Sequence, residues 1–316
     1  MGTESIEASF LSIFALITFF VFLYISKISH KLINGALLDT NFSKPQAFHQ
    51  TVISRSGGIA ALISLSVFYG IYFLLYKKIL YDYIFISYSM FLIGFLDDLK
   101  INFRPIKRLF FMIIFLLIFI HFLPIQIFNI DIPLLSFLLK NKFFSTIFIL
   151  LCFLFIINGA NLIDGFNGLL TINLIIINII LTYINILNAN MEISIILIAQ
   201  IIILLSFLLF NFPYAKIFLG DSGAYLMGSL IALNTIITNN LNPNVSSFFF
   251  CTLLFYLFFE VFFSFFRKIS QKKSPFHPDE KHLHMLSFYE LSKKFGKERG
   301  NFLNSIVINL SYFFLI

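Results

Sequence analysis

Long apolar runs alternate with short polar stretches along most of the 316-residue chain. A bilayer core of about 30 Å needs roughly 20 apolar residues per helix, with a lower limit of roughly 17. Ten stretches approach or meet this length, at residues 8–26, 57–76, 79–96, 109–125, 143–160, 168–187, 192–210, 222–239, 246–266 and 301–316. The pattern predicts an all-α, polytopic membrane protein with about ten transmembrane helices, formed by one domain over residues 1–316.

Residues capable of catalysis or metal binding gather in the loops that follow odd-numbered stretches. GFLDDLK ends the third stretch, NGANLIDGFNGLL joins the fifth to the sixth, NFPYAKIFLGDSG joins the seventh to the eighth, and SPFHPDEKHLH follows the ninth. Loops that follow odd-numbered crossings lie on the same side of a membrane. The sequence therefore predicts one site, assembled from several loops at one membrane surface.

The distribution of Lys and Arg predicts which side this is. Of the 22 basic residues, 18 lie in the loops after odd-numbered stretches, and only Lys77, Lys78, Lys140 and Lys142 lie on the other side. Because cytoplasmic loops are enriched in Lys and Arg, we expect the reactive loops to be cytoplasmic and the N-terminus to be outside. The net charge of +7 would then favour an anionic substrate or anionic lipid headgroups at that face.

Composition agrees with a membrane protein. The chain is 59% hydrophobic and 12% charged, whereas soluble domains are about 45–50% apolar and about 25% charged. Cys152 and Cys251 both lie in apolar stretches, which indicates small buried side chains rather than a disulfide.

Asp97 and Asp98 end a predicted helix, where carboxylates oppose the helix dipole at a cost of about 0.3–1 kcal/mol each. Adjacent carboxylates also raise each other's pKa unless a cation lies nearby. A solvated helix end is one interpretation. The position at the membrane boundary favours a metal ligand and a base instead, with phosphate held by the basic residues that follow, Lys100, Arg104, Lys107 and Arg108.

The next reactive loop combines amides with a carboxylate. Asn158, Asn161 and Asp164 recur at helical spacing, so they would lie on one face of a helix end. Gly165 and Gly168 permit the turn that a ligand-contacting backbone requires. An ordinary Asn- and Gly-rich loop rarely keeps its amides and a carboxylate on one stripe, so we interpret this loop as part of the site.

Asp221 follows Gly220 and opens the eighth predicted helix. Alone it could be an N-cap. Beside the other acidic loops it is predicted to be a ligand of a hard divalent cation, which prefers oxygen donors. Phe218 precedes it by three residues and could stack on a planar base.

His282 and His284 lie in the final reactive loop, together with His277 and Asp279. A zinc site is not indicated, because no cysteine partner and no H-E-x-x-H spacing accompany them. Imidazoles that donate to phosphate oxygens fit the basic surroundings better. Neither a Walker loop nor a G-x-G-x-x-G motif is present, so a nucleotide would be bound in another way.

Taken together, these loops resemble the polyprenyl-phosphate N-acetylhexosamine-1-phosphate transferase family. KPQAFHQTVISRSGGI, from Lys44 to Ile59, looks like its first cytoplasmic loop, and GFLDDLK is similar to its Asp-Asp motif. NGANLIDGFNGLL, FLGDSGAYLMG and SPFHPDEKHLH resemble its next three motifs. The H-L-H spacing is closer to the N-acetylglucosamine-type branch than to the phospho-N-acetylmuramoyl-pentapeptide transferases of peptidoglycan synthesis.

The resemblance implies transfer of a sugar phosphate from a UDP-N-acetylhexosamine to polyprenyl phosphate, with release of UMP. It implies a bacterial plasma-membrane enzyme that initiates a cell-envelope glycan, needs Mg²⁺ or Mn²⁺, has no nucleic-acid partner and allows a homodimer. The positions that match its motifs divide by role. The catalytic ones are Asp97, Asp98 and Asp164; the metal ligands are Asn161 and Asp221; the substrate-binding ones are Lys44, Arg55, Lys107, Arg108, Asn158, Asn167, Asn211, Phe218, Arg267, His282 and His284.

Two other classes of protein compete with this interpretation. A transporter would place ionisable groups near the bilayer midplane, and the acids inside apolar runs are Asp82 and Glu260. A non-catalytic scaffold for polysaccharide assembly would tolerate loss of the Asp97–Asp98 pair.

Overall fold

Helices form nearly all of the regular structure in the computed structural model, which describes residues 3–40, 51–101, 104–123, 125–128, 130–272 and 281–316. In chain order they are α1 (Thr3–Ile28), α2 (Gly57–Tyr76), α3 (Tyr81–Asp98), α4 (Pro105–Phe122), α5 (Pro133–Leu139), α6 (Lys142–Ile163), α7 (Leu169–Leu187), α8 (Met191–Asn211), α9 (Gly220–Leu241), α10 (Ser247–Leu253), α11 (Phe255–Ser270), α12 (Leu283–Phe295) and α13 (Lys297–Leu315). A 3₁₀ turn spans Leu32–Gly35, and two short strands, β1 (Leu38–Asp39) and β2 (Ile53–Ser54), pair antiparallel. The prediction of an all-α polytopic membrane protein is confirmed.

Six of these helices are long and apolar enough to cross a membrane: 9–28, 57–76, 105–122, 142–163, 169–187 and 191–211. The helices α10 and α11 would make a seventh crossing if taken together, but they meet at a bend of 70°. The ninth predicted stretch is thus a broken helix. The stretches 79–96, 222–239 and 301–316 are also helical, as α3, α9 and α13. The total of ten crossings stays a prediction.

Helix α9 forms the centre of the bundle, because 18 of its 22 residues are buried. It packs most extensively against α3 and α6. The backbones of α3 and α9 approach closely at Gly94, where an added Cβ would lie 2.4 Å from the carbonyl oxygen of Asp221. This close contact packs the end of α3, with Asp97 and Asp98, directly against the start of α9, with Asp221.

The loops after odd-numbered stretches meet at one end of the bundle, as the sequence predicted. Strand β2 lies beside the segment that precedes α9, where the Phe218 N–H donates to the Ser54 carbonyl at 2.8 Å and the Phe218 carbonyl accepts from Gly57 N–H at 2.9 Å. Farther along the chain, the Gly168 N–H donates to the Asn211 side chain at 2.7 Å. These contacts bring the first, third and fourth loops of this set together.

The loops after even-numbered stretches meet at the opposite end. The Phe128 N–H donates to Asn240 Oδ1 at 2.9 Å, and Asp131 accepts from the Ser247 N–H at 2.8 Å. Lys78 and Glu192 form an ion pair between two other loops of this set. Loops after odd-numbered stretches thus meet at one end of the bundle and loops after even-numbered stretches at the other, so the reactive loops share one end. The cytoplasmic orientation of that end stays a prediction.

Cysteine labelling would check that orientation. Single cysteines at the exposed lysines Lys216 and Lys281 are expected to react with a membrane-impermeant maleimide only after cells are permeabilised, in a background where Cys152 and Cys251 are replaced. Cysteines at the exposed lysines of the opposite end, Lys140 and Lys142, are the matched controls and should react in intact cells. Reaction of the 216 and 281 positions in intact cells would reverse the orientation.

Candidate active site

Four carboxylates and two guanidinium groups converge where α3, α4, α6 and α9 meet β2. We call this set, Arg55, Asp97, Asp98, Arg108, Asp164 and Asp221, the acid cluster. Asp97 and Asp98 end α3, Asp221 opens α9, and Asp164 follows α6. The sequence predicted that these groups from different loops would meet.

Asp98 joins α3 to the start of α9. It is completely buried, and its carboxylate accepts the Asp221 N–H at 3.0 Å and the Ser222 N–H at 2.9 Å. A carboxylate at a helix N-terminus satisfies free N–H groups and complements the helix dipole. Gly220 permits this contact, because its φ is +77° and a Cβ there would lie 2.6 Å from Asp98 Oδ2. Asp98 therefore positions Asp221.

Arg108 lies between the carboxylates of Asp97 and Asp221. Its Nη1 is 2.6 Å from Asp97 Oδ2 and 3.0 Å from Asp221 Oδ2, and it also contacts the Tyr225 hydroxyl at 3.3 Å. The side chains of Arg108, Asp97 and Asp221 are about one-fifth to one-quarter exposed, so they are accessible from the end of the bundle. A cation thus lies between Asp97 and Asp221.

Arg55 holds the opposite side of the acid cluster. It donates to Asp39 Oδ2 through Nη2 at 2.7 Å and through Nε at 3.1 Å. Its Nη1 lies 3.6 Å from Asp98 and 4.0 Å from Asp221. Asp39, on β1, was not among the predicted site residues; no motif marked it, because its role arises only from the pairing of β1 with β2.

The carboxyl groups of the acid cluster differ in proton affinity. Burial raises the pKa of Asp97, and its hydrogen bond with Asp221 raises it further. Burial also disfavours the Asp221 carboxylate, but the hydrogen bond from Asp97 and the charges of Arg55 and Arg108 outweigh it and hold its pKa below the ordinary value. Within this hydrogen-bonded pair, Asp221 is therefore the anionic member and Asp97 the one that can take up a proton.

Asp164 and Asn161 border the acid cluster from the end of α6. Burial, and then the negative charge of Asp221, raise the pKa of Asp164 to about 8. Asn161 hydrogen-bonds Asp221 through its side chain. A methyl group at Gly165 would meet no atom within 4 Å, so the turn beside Asp164 faces open space. Asn158, one turn earlier, is partly buried and donates to the Leu154 carbonyl at 2.7 Å.

Two of the predicted substrate-binding amides hold loops together. Asn211 is buried; it accepts the Gly168 N–H at 2.7 Å and donates to the Ile217 carbonyl at 3.0 Å. Asn167 donates to the Pro213 carbonyl at 2.9 Å. Phe218 is partly exposed beside them. The amides thus join the fifth-to-sixth loop to the seventh-to-eighth loop, on which Phe218 lies. Their contact with the substrate stays a prediction.

Three predicted phosphate-binding residues lie on α4 and α11, one of them in the acid cluster and two outside it. Arg108 lies in the acid cluster, whereas Lys107 is exposed on the first turn of α4. Arg267 is partly exposed in the last turn of α11, with its guanidinium 4.9 Å from the centre of the Phe263 ring. Lys44, His277 and Asp279 lie outside the described residues.

Both described histidines of the last loop are buried. His282 is 2% exposed, and its Nδ1 lies 2.9 Å from Glu260 Oε2. His284 is 0% exposed, with Nδ1 3.2 Å from the Tyr256 hydroxyl and its ring edge-on to Phe166. Burial lowers the pKa of His284 to about 4, which favours the neutral ring. The Phe166 contact brings this loop against the fifth-to-sixth loop.

Helix α13 supplies anchors that the sequence did not single out. Asn301 accepts the Asn167 N–H at 2.9 Å, and Asn309 donates to the Leu169 carbonyl at 3.1 Å. Asn304 donates to the His284 carbonyl at 2.9 Å. One helix therefore fastens two reactive loops. Asparagines at helical spacing within a stretch interpreted as a crossing were the available signal.

The described residues contain no group of three or more His, Cys, Asp or Glu side chains arranged to hold a metal ion. Asp221 of the acid cluster and the neighbouring Asn161 nevertheless offer hard oxygen donors, a carboxylate and a side-chain amide that lie within hydrogen-bond distance of each other. Mg²⁺ is commonly bound by one or two carboxylates together with substrate phosphates and water. The donor chemistry of Asp221 and Asn161 fits that mode.

Comparison with known proteins gives several matches. Residues 80–239, which carry the acid cluster except Arg55, match the model of glycosyl transferase family 4. The chain is 31% identical over 151 residues to the undecaprenyl-phosphate alpha-N-acetylglucosaminyl 1-phosphate transferase of Thermotoga maritima, an alignment that covers 48% of this chain and 44% of that protein. It is also 31% identical over 236 residues to the phospho-N-acetylmuramoyl-pentapeptide-transferase of Dictyoglomus turgidum, covering 71% of this chain and 73% of that protein.

A third relative, the phospho-N-acetylmuramoyl-pentapeptide-transferase of Leuconostoc mesenteroides, is 43% identical over 81 residues, a quarter of each chain. The alignments with the Thermotoga and Leuconostoc proteins thus span less than half of those proteins' length, whereas the Dictyoglomus alignment spans nearly three quarters.

Proposed function

The chain belongs to glycosyl transferase family 4, and from this premise we propose that it transfers N-acetylglucosamine-1-phosphate from a UDP-sugar to polyprenyl phosphate. An oxygen of the lipid phosphate attacks the phosphorus that carries the sugar, and the bond from that phosphorus to UMP breaks. The products are a polyprenyl-diphospho-sugar and UMP. The acid cluster carries this proposal, because phosphoryl transfer depends mainly on positioning and on neutralising oxygen charge.

The sugar is the finer part of the proposal. The Thermotoga relative acts, by its name, as an N-acetylglucosaminyl 1-phosphate transferase, and the H-L-H spacing at His282 and His284 supports the same donor. The longer alignment with the Dictyoglomus protein favours a second candidate, transfer of phospho-N-acetylmuramoyl-pentapeptide. The two candidates differ in the donor, so a choice of UDP-sugars distinguishes them.

Asp97 is the proposed base or phosphate-holding group. It is a partly exposed carboxyl at the surface end of α3, where it could accept a proton from the lipid phosphate or hold that phosphate for attack. Arg108, in contact with it, would pair with the incoming phosphate. Asp98 keeps Asp221 in place, and Asp164 contributes a further carboxyl beside open space.

Asp221 and Asn161 are the proposed ligands of Mg²⁺ or Mn²⁺, which when bound would neutralise the diphosphate of the nucleotide sugar. Arg55 faces Asp221 from the other side and would contact the same diphosphate, with Lys44, Lys107, Arg267, His282 and His284 adding positive charge or hydrogen-bond donors. Phe218 would stack on uracil, while Asn167 and Asn211 hold together the loops around it. Asn158 would be a further substrate-binding residue, at the end of α6.

The site lies at one end of an apolar bundle, which supports a substrate that is itself a membrane lipid. We propose that this end lies on the cytoplasmic side of a bacterial plasma membrane. A soluble nucleotide sugar can reach it there, and basic loops are enriched on that side. Assembly into a homodimer stays a prediction.

Release of UMP by the purified protein tests the proposal. With polyprenyl phosphate and Mg²⁺, UDP-N-acetylglucosamine should yield UMP and a lipid-linked sugar phosphate. EDTA should abolish the reaction because the oxygen-donor site needs a divalent ion, and added Mg²⁺ or Mn²⁺ should restore it. EDTA already saturated with Mg²⁺ is the control. Full activity after exhaustive chelation would refute the metal role, and turnover of only UDP-N-acetylmuramoyl-pentapeptide would favour the second candidate.

A further inference from the structure

Glu260 is a buried carboxylate that does not belong to the acid cluster. It lies on α11, after the 70° bend, and is 1% exposed. A carboxylate in such a place is costly unless charges or hydrogen bonds compensate for its lost hydration. The contacts of Glu260 therefore indicate what retains it there.

Both oxygens of Glu260 contact the start of α12. Oε2 lies 2.9 Å from His282 Nδ1, and Oε1 accepts the Leu283 N–H at 2.9 Å. His282 is the residue just before α12, and Leu283 is its first residue. One carboxylate thus caps the helix and pairs with the imidazole beside the cap.

This pairing determines which nitrogen of His282 is available to a ligand. A carboxylate has only acceptor oxygens, so Nδ1 must carry the proton that lies between them. Nε2 is then the nitrogen left for a substrate, in both the neutral ring and the imidazolium.

The neighbouring contacts keep the His282 ring from turning. The His284 ring stacks on it at 5.4 Å between centroids and 5° between planes. His284 is itself held by the Tyr256 hydroxyl at Nδ1 and by the Asn304 amide at its carbonyl. Side chains of α11 and α13 therefore brace the stacked pair.

We propose that Glu260 is a positioning residue for the transfer reaction. It holds the proton of His282 on Nδ1 and so presents Nε2 to a phosphate oxygen of the substrate. The part played by the substrate rests on the proposed function, whereas the state of the His282 ring does not.

The variant Glu260→Gln separates charge from shape. Its single side-chain oxygen is needed by the Leu283 N–H, so its NH₂ group would face His282 Nδ1. Because that NH₂ group is a donor, Nδ1 would have to accept a hydrogen bond, and the proton of the ring would move to Nε2. The same change of tautomer occurs in serine proteases when the aspartate that orients the catalytic histidine is replaced by asparagine. The size of the side chain and the helix cap are retained.

Nitrogen NMR of ¹⁵N-histidine-labelled protein, without substrate, measures this directly. The signals of His282 are assigned as those that disappear from the spectrum of the His282→Gln variant. We expect a protonated Nδ1 in the wild type and a protonated Nε2 with unprotonated Nδ1 in Glu260→Gln. The same protonation pattern in both proteins would overturn the proposal, and this result does not depend on the reaction catalysed.

Kinetics provide the second test. Glu260→Gln should lower kcat/KM by roughly 10- to 100-fold, the range seen when a metal-binding histidine loses the carboxylate that orients it. In the His282→Gln background the same change should alter kcat/KM by less than about twofold, because the partner is gone. Glu192→Gln, an exposed residue at the opposite end, is the matched control and should leave the rate unchanged.

Equal losses from Glu260→Gln with and without His282 would overturn the positioning role, since a general loss of structure does not depend on one imidazole. If the wild type showed no transferase activity at all, the proposed function would fail, and the NMR result would still decide the Glu260–His282 interaction.

Discussion

Asp221→Asn is expected to lower the rate of sugar-phosphate transfer by roughly 100-fold or more, the effect of removing one strong electrostatic contact from an active site. The amide keeps the shape of the side chain but removes the anion that Arg55 and Arg108 contact, at 4.0 Å and 3.0 Å. It also removes the proposed metal ligand. Initial rates of UMP release across a Mg²⁺ titration measure both effects, and the variant should require more Mg²⁺ for half-maximal activity.

Asp131→Asn is the matched control for Asp221→Asn, because Asp131 lies at the opposite end of the bundle and is exposed. Its variant should keep the wild-type rate. The companion change Asp97→Asn should reduce kcat more than it raises KM for the nucleotide sugar, as expected for a group that acts on the lipid phosphate. A wild-type rate in both Asp97→Asn and Asp221→Asn would mean that the acid cluster is not the reaction centre.

Gly94→Ala is expected to disrupt the acid cluster without touching a charged residue. A Cβ at this position would lie 2.4 Å from the Asp221 carbonyl oxygen and 2.5 Å from the Ser222 Cα, both backbone atoms. Helices α3 and α9 would have to separate, and the Asp98 hydrogen bonds to the start of α9 would lengthen. Overpacking of this kind costs about 1–3 kcal/mol. We expect a lower midpoint of thermal unfolding in detergent together with a strong loss of UMP release.

Gly70→Ala is the control for this change. Gly70 lies within α2, on an exposed face, and a Cβ there would meet nothing within 4 Å. Alanine favours a helix over glycine by about 0.5–1 kcal/mol, so this variant should be as stable as the wild type or slightly more stable. If Gly94→Ala retained the stability and activity of Gly70→Ala, the close approach of α3 and α9 would not be needed by the site.

The structure also gives the two neighbouring carboxylates different tasks. Asp98 is fully buried and accepts two backbone N–H groups, whereas Asp97 is one-quarter exposed and contacts Arg108. Both are aspartates at the end of one helix, but successive residues point about 100° apart around it. One is therefore directed into α9, and the other toward the surface where a substrate could reach it.

The acids that a transporter interpretation would use are placed at the ends of the bundle. Asp82 is in the first turn of α3, beside the loop that holds Lys78. Glu260 contacts the last reactive loop. Neither acid therefore lies where a transporter would need an ionisable group, near the bilayer midplane, and this favours the enzyme over the transporter.

The sequence by itself determined the class of fold and the meeting of the reactive loops at one end of the bundle. Helical segments of about 20 apolar residues must satisfy their backbone within the bilayer, so length and hydropathy identify them. The alternation of polar loops then requires Asp97, Asp164, Asp221 and His282 to share one end, and the contacts of the described residues agree. The composition of each motif also indicated oxygen donors and phosphate-binding cations.

Only the tertiary structure decided which members of each motif face one another. The bend between α10 and α11 was hidden because both halves are apolar, and hydropathy does not record direction. Asp39, Glu260 and Asn301 gained their roles from partners 16, 22 and 134 positions away in the chain. Such contacts depend on how helices pack and on which loops they bring together, and hydrophobic periodicity carries information only about the residues of its own segment.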